Sequence, residues 1–223
     1  MKAFGFYLTS SHKSDIKFSL ILLNNGLTLN WPTDVVNLMK DPQYQTVLNG
    51  RPLVYVFRGG MPGGKDGTID VVTWRAKFDA LRSAAQAAGL PNPYMVWFWG
   101  WAKDPYVQSL GLDAVSSYGM KPTGTVGQVE PYRNLATANR TYWESAKSAG
   151  VKLVPNVSTG WDPRPVWEIL PPWGYGPETP VSVGSPSEIA SHLKSSIDWV
   201  AANPSIAEAN TVLMYAWNEF AEG

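Results

Sequence analysis

Two glutamates, Glu219 and Glu222, stand three apart in the stretch "YAWNEFAEG", Tyr215 to Gly223, with Trp217 and Asn218 just before the first of them. Cleaving a glycosidic bond needs one carboxyl to protonate the departing oxygen and a second to act as base or nucleophile, both held where a sugar can lie. An indole face and an amide are suitable company, since rings stack on the apolar faces of sugars and amides bind hydroxyls. On spacing alone, two glutamates near a strand end are more often solvated loop charges than catalysts. The elements that position them must decide.

Other chemistries find less support. "GGMPGGKD", Gly59 to Asp66, follows a strand and nearly fits the phosphate-binding loop G-x-x-x-x-G-K-[ST]. Asp66 stands where a hydroxyl should meet magnesium, Pro62 removes a backbone donor from the cradle, and the next helix begins only near Val71. A nucleotide-dependent α/β enzyme built around Lys65 is therefore the weakest reading. There is no cysteine, and the two histidines, His12 and His192, lie far apart, so a metal centre would rest on carboxylates and no ligand cluster is visible. No metal or other cofactor is expected. Eighteen basic residues balance eighteen acidic ones, which gives no reason to expect nucleic acid or an anionic membrane as a partner. A neutral partner is easier to accommodate. No apolar run approaches a membrane span, and "MKAFGFYLTSSHKSD" lacks the apolar core and cleavage site of a secretory leader, which leaves the compartment open. Eleven tryptophans and ten tyrosines stand out; most are read as core packing, and those at loop mouths as ligand contacts.

Six short apolar runs read as strands: Lys17 to Asn24, Leu53 to Phe57, Tyr94 to Trp99, Asp113 to Tyr118, Lys152 to Val157, and Thr211 to Trp217. They are apolar on both faces, as buried parallel strands are. Helical patterns lie between them. Val71, Trp74, Phe78, Leu81, Ala85 and Ala88 form one stripe, with Asp70 to cap it and Gly89 to end it; Leu135, Ala138, Tyr142 and Ala149 form another. Ser185, Pro186 and Glu188 make a capping box ahead of the stripe Ile189, Leu193, Ile197 and Val200, and shorter helices are expected over Thr33 to Lys40 and Asp104 to Leu110. Alternating strands and helices predict an α/β fold with a parallel sheet. The long connections, Arg58 to Ile69, Gly119 to Asn134 and Ser158 to Gly184, all follow strands, and so mark the ligand face.

A (β/α)8 TIM-type barrel needs eight strands and about 250 residues. Six strands are read here, after an opening "AFGFYLTSS" that looks like the tail of a helix. Residues 1–223 are therefore expected to be a single, incomplete barrel domain that lacks N-terminal βα units and the last helix.

Three segments in order carry a family resemblance. "YAWNEFAEG" resembles the "WNEW-x-EG" signature of glycoside hydrolase family 99-like proteins, including the WbsX-like group found near polysaccharide gene clusters. "LMKDPQYQTVLNGRPLVYVF" and "VPNVSTGWDPRP" are similar to two further segments of that group. The resemblance, which runs from about residue 15 to the end, implies a (β/α)8 barrel that acts on α-linked mannose- or rhamnose-type polysaccharide. It implies Glu222 as general acid/base and Glu219 as the group that assists attack by the sugar's own 2-hydroxyl, with net retention. A non-catalytic carbohydrate-binding or polysaccharide-biosynthesis barrel is the alternative. Phe220 stands where the family has tryptophan, and Pro163 and Arg164 where it more often has asparagine and threonine. Besides Trp217 and Asn218, the candidate sugar contacts are Trp161 and Asp162, weighed evenly against loop packing. Tyr118 and Trp99 (or Trp101) follow, with packing favoured for them, and Asn24 reads as a turn residue.

If the loop from Gly59 is no phosphate cradle, Lys65→Ala leaves the chain's response to magnesium–ATP unchanged. Calorimetric titration should detect no ATP affinity in either form; affinity present in the unaltered chain and lost in the variant restores the nucleotide reading.

Overall fold

The computed structural model describes residues 2–23, 30–57, 69–98, 101–121, 124–125, 128–162 and 181–215. It divides into two units, Met1–Phe98 with Pro105–Asp113, and Trp99–Asp104 with Ala114–Gly223.

The first unit carries helix α1 (Lys2–Thr9), strand β1 (Leu20–Leu22), helix α2 (Thr33–Met39), strands β2 (Thr46–Val47) and β3 (Arg51–Phe57), helix α3 (Val71–Ala87), strand β4 (Tyr94–Phe98) and helix α4 (Pro105–Ser109). β3 lies between β1 and β4 and is parallel to both, with Val54 opposite Leu20 and Met95. Both faces of β3 and β4 are buried, which is why their sequences are apolar without alternation. α3 buries Trp74, Phe78, Leu81 and Ala85, as the stripe predicts. Asp70 caps it by accepting from the Thr73 amide at 3.1 Å, and Gly89, at φ +80°, turns the chain so that the Leu90 amide returns to the Ala85 carbonyl at 3.0 Å.

β2 pairs antiparallel with β3 through a turn at Leu48, Asn49 and Gly50, all with positive φ. The Asn-Gly dipeptide is the residue pair such a turn favours. Asp113, read from the sequence as the start of a strand, instead closes a clamp at the amino ends of β3 and β4. The Arg51 guanidinium donates to the carbonyls of Asn92 (2.8 Å) and Pro93 (3.0 Å) and to Asp113 Oδ1 (2.6 Å), and lies 4.8 Å over the Tyr94 ring. The other oxygen of Asp113 accepts from the Met95 amide at 2.8 Å.

The second unit carries strand β5 (Ala114–Ser116), helix α5 (Tyr132–Ser148), strands β6 (Asn156–Ser158), β7 (Gly160–Trp161) and β8 (Ser182–Val183), helix α6 (Pro186–Ala202) and strand β9 (Leu213–Tyr215). β6 and β9 are parallel, with Asn156 opposite Leu213 and Ser158 opposite Tyr215. β5 meets the segment before β6 at a single parallel bridge, Val115 with Leu153. Pro155, which has no amide to donate, faces the β9 edge instead, where its carbonyl accepts from the Leu213 amide at 2.9 Å. β7 and β8 form an antiparallel pair inside the stretch read as one long loop from Ser158 to Gly184.

α6 has the predicted capping box, with Ser185 and Glu188 bonded reciprocally. Its buried face overlaps the apolar stripe only in part: Val200 is buried and Ile189 and Leu193 half-buried, but Ile197 is 53% exposed, and His192, Ser196 and Trp199 complete the face. The helix rests on α5 and β6 through polar as well as apolar side chains, and a search for apolar periodicity passes over His192 and Ser196.

Cutting the clamp by Arg51→Met keeps an apolar stem but strands two carbonyls and the Asp113 carboxylate. This should cost about 2–4 kcal/mol in urea denaturation. Hydrogen exchange at the Met95 amide should quicken, with the amides of α5 unchanged.

Candidate functional site

In the second unit β5, β6 and β9 run parallel, and their carboxyl ends bring together residues distant in sequence. The Tyr215 carbonyl accepts from the Thr159 amide (2.7 Å) and hydroxyl (3.2 Å). The Tyr215 ring lies 4.6 Å from that of Tyr118, with the planes tilted by 56°. Gly119 lets this ring approach, since a Cβ there would stand 3.0 Å from Tyr215 Cε1. The Met120 amide reaches Ser158 Oγ at 3.4 Å, which ties the exit of β5 to the end of β6.

Behind these ends lies a buried polar layer. The Tyr132 hydroxyl donates to the Ser158 carbonyl at 2.5 Å and lies 2.9 Å from His192 Nδ1. Trp143 Nε1 donates to the Asn156 carbonyl at 3.2 Å and stacks its ring on His192, centroids 5.7 Å apart. Asn139 anchors in α5 by donating to the Leu135 carbonyl, and its amide meets Ser158 Oγ at 3.4 Å. Burial pulls His192 down from its ordinary 6.5 to about 4, so the imidazole is neutral at pH 7. Burial, assisted by the charge of Glu188, pushes the Tyr132 phenol up.

Of the residues singled out in the sequence, Tyr118 and Asp162 lie at this end of the strands, both half-buried. Trp161 opens no loop: it is a β7 residue, 3% exposed, packed against Tyr132 and Leu135 with the Lys121 ammonium 5.5 Å over its ring. Trp101 is 70% exposed. Trp99, Trp217, Asn218, Glu219 and Glu222, with Asn24 and Lys65, lie outside the described residues. Tyr215, Tyr132 and His192 belong to the arrangement but were passed over in the sequence. For Tyr215 the available signal was its place two residues before Trp217, at the end of a strand on the ligand face. Among the described residues no three histidine or acidic side chains gather as metal ligands, and no helix is long and apolar enough to cross a membrane.

No protein-family model matches the chain, and no curated protein does. Solved structures do. The GH99 endo-α-mannosidase from Bacteroides thetaiotaomicron superposes with a TM-score of 0.52 at 15% identity, over 86% of this chain and 50% of that one. Its complex with bis-tris-propane gives a TM-score of 0.49 at 15% identity, over 86% and 52%. The likeness is one of fold, an α/β arrangement with parallel strands like that of a glycoside hydrolase. The chain spans about half the length of these structures.

Because the folded His192 binds its proton only near pH 4, whereas the unfolded histidine does so near 6.5, its contribution to stability is complete above pH 6.5. It falls as the pH drops below that value and is gone below about 4. Between pH 7 and 4.5 the chain should lose about 2–3 kcal/mol through this group. Paired urea titrations at the two pH values should show His192→Asn losing less by that amount.

Proposed function

We propose that the chain is a glycoside hydrolase-like domain that cleaves α-linked polysaccharide of mannose or rhamnose type. The observation that carries this reading is the place of the "WNEFAE" stretch. It follows directly on β9, whose carboxyl end meets those of β5 and β6, in a fold like that of an endo-α-mannosidase. In parallel α/β folds that end of the strands is where ligands bind.

In the proposed mechanism the Glu222 carboxyl gives its proton to the departing glycosidic oxygen. Glu219 takes the proton of the sugar's 2-hydroxyl while that oxygen attacks C1, and the C1–oxygen bond to the leaving group breaks. The product is a 1,2-anhydro sugar. Glu222, now ionised, removes a proton from water as the water opens the three-membered ring at C1, and Glu219 returns its proton to O2. Two inversions give net retention. No enzyme nucleophile across the ring is required, which suits two carboxyls three residues apart. Tyr118, Asp162, Trp217, Asn218 and Trp99 are the proposed sugar contacts. Trp161, buried against Tyr132 and Leu135, serves instead by holding the strand end.

Glutamine at 222 keeps shape and hydrogen bonding but has no proton to give. In the complete enzyme Glu222→Gln should lower kcat on an unactivated α-mannan by roughly a hundredfold to ten-thousandfold, with a much smaller loss on an aryl glycoside whose phenol leaves unaided. Glu219→Gln should impair both substrates. Equal losses on the two substrates for Glu222→Gln, with Glu219→Gln near the unaltered rate, would overturn the roles. Saturable binding without turnover in the unaltered enzyme would favour the non-catalytic or biosynthetic barrel.

A further inference from the structure

We infer that Tyr132 and His192 form a positioning pair that fixes the strand-end segment Ser158–Asp162, with His192 in its Nδ1-protonated tautomer. The tautomer follows from counting protons. A carbonyl oxygen can only accept, so the Tyr132 hydroxyl, 2.5 Å from the Ser158 oxygen, spends its one proton there. The phenolic oxygen then has only lone pairs to offer His192 Nδ1 at 2.9 Å, and that nitrogen must be the donor. The protons run in one direction, from imidazole to phenol to strand carbonyl, and each bond polarises the next. The Trp143 ring, stacked on the imidazole at an interplanar angle of 27°, keeps Nδ1 aimed at the phenol.

The phenol is also a wedge. Its ring packs with Trp161 and Leu135, and on another side it meets Gly184, where a Cβ would stand 2.8 Å from ring atoms Cδ2 and Cε2. One ring thus abuts both the end of β7, from which Asp162 leaves, and the residue after β8. Its tilt is set by the two hydrogen bonds at its tip. Losing the imidazole donor frees the ring to turn, and the backbone from Ser158 to Asp162 turns with it. The consequence for binding rests on the proposed carbohydrate site, whereas the positioning itself does not.

The test uses the full chain labelled with 15N, in three variants. His192→Asn keeps an N–H where Nδ1 was, His192→Leu removes the donor at similar volume, and Tyr132→Phe keeps the ring without its hydroxyl. In the unaltered chain at pH 7 the imidazole spectrum should show Nδ1 protonated and Nε2 bare; the opposite tautomer overturns the inference. The amide resonances of Thr159, Gly160, Trp161 and Asp162 should move in His192→Leu and in Tyr132→Phe and stay in place in His192→Asn. If His192→Leu does not fold, Tyr132→Phe carries the comparison, and unmoved amides there overturn the pair. Titration with linear α-mannan should give a Kd weakened roughly three- to tenfold in Tyr132→Phe and His192→Leu, the factor one neutral hydrogen bond supplies, and restored in His192→Asn. Shifted amides with an unchanged Kd would overturn the consequence for binding. Absence of mannan binding by the unaltered chain would count against the carbohydrate reading, while the amide shifts would still decide the positioning pair.

Discussion

A strand buried between layers must place every carbonyl on a donor, and β6 meets this demand in an unusual way. Its register with β9 uses the Pro155 carbonyl and the Thr159 amide, so the carbonyls of Asn156 and Ser158 point to the opposite edge. There β5 has already parted from it, having bridged only at Leu153. Two side chains of α5 supply the missing donors, the indole of Trp143 for Asn156 and the phenol of Tyr132 for Ser158. A helix thereby does the work of a neighbouring strand. The rest of the second unit is arranged around that substitution: α6 lies where His192 can hold the phenol, and β7 and β8 close over its ring.

The same constraint explains which parts of the fold were legible in the sequence. Elements marked by apolar runs or stripes were read at the right places: β3, β4 and α3 bury the residues that their patterns single out. β1 proved shorter than the run Lys17 to Asn24, because β3 pairs with it over three residues only. β2 was missed although Asn49-Gly50 announced its turn, and β7 and β8 because two residues make no pattern. α6 was found by its cap and its inward face was read in part: Ile189 packs on the core and Val200 is buried, but Ile197 faces out and the buried His192 and Ser196 made no apolar signal. At the site, position was easier to read than environment. Tyr118 and Asp162 do lie at strand ends, whereas Trp161 spends its ring on the core, a choice set by Tyr132 and Leu135 from a helix some way back in the chain.

Fold and function rest on different observations here. Parallel strands joined through helices, with a likeness to an endo-α-mannosidase at 15% identity, describe an architecture that hosts many chemistries. The argument for sugar chemistry comes from what the strand ends present: two tyrosine rings, an aspartate, and a sequence that continues into paired carboxylates. The polar layer behind them is itself a departure from the apolar filling usual beside parallel strands. A neutral imidazole, a phenol and an asparagine give fixed hydrogen-bond directions where a leucine would give only volume.

The edge sealed by α5 also has a meaning in time. A chain emerging from the ribosome presents α5 directly before β6, whereas β9 follows only after α6 has been made. One side of β6 is therefore closed by its immediate neighbour in sequence, and the other waits as an open edge for a strand synthesised later. An open edge is a template for any passing strand. By occupying the Asn156 and Ser158 carbonyls locally, Trp143 and Tyr132 leave fewer free groups on that edge for a nascent chain to pair wrongly, and the slow, non-local step is the seam with β9.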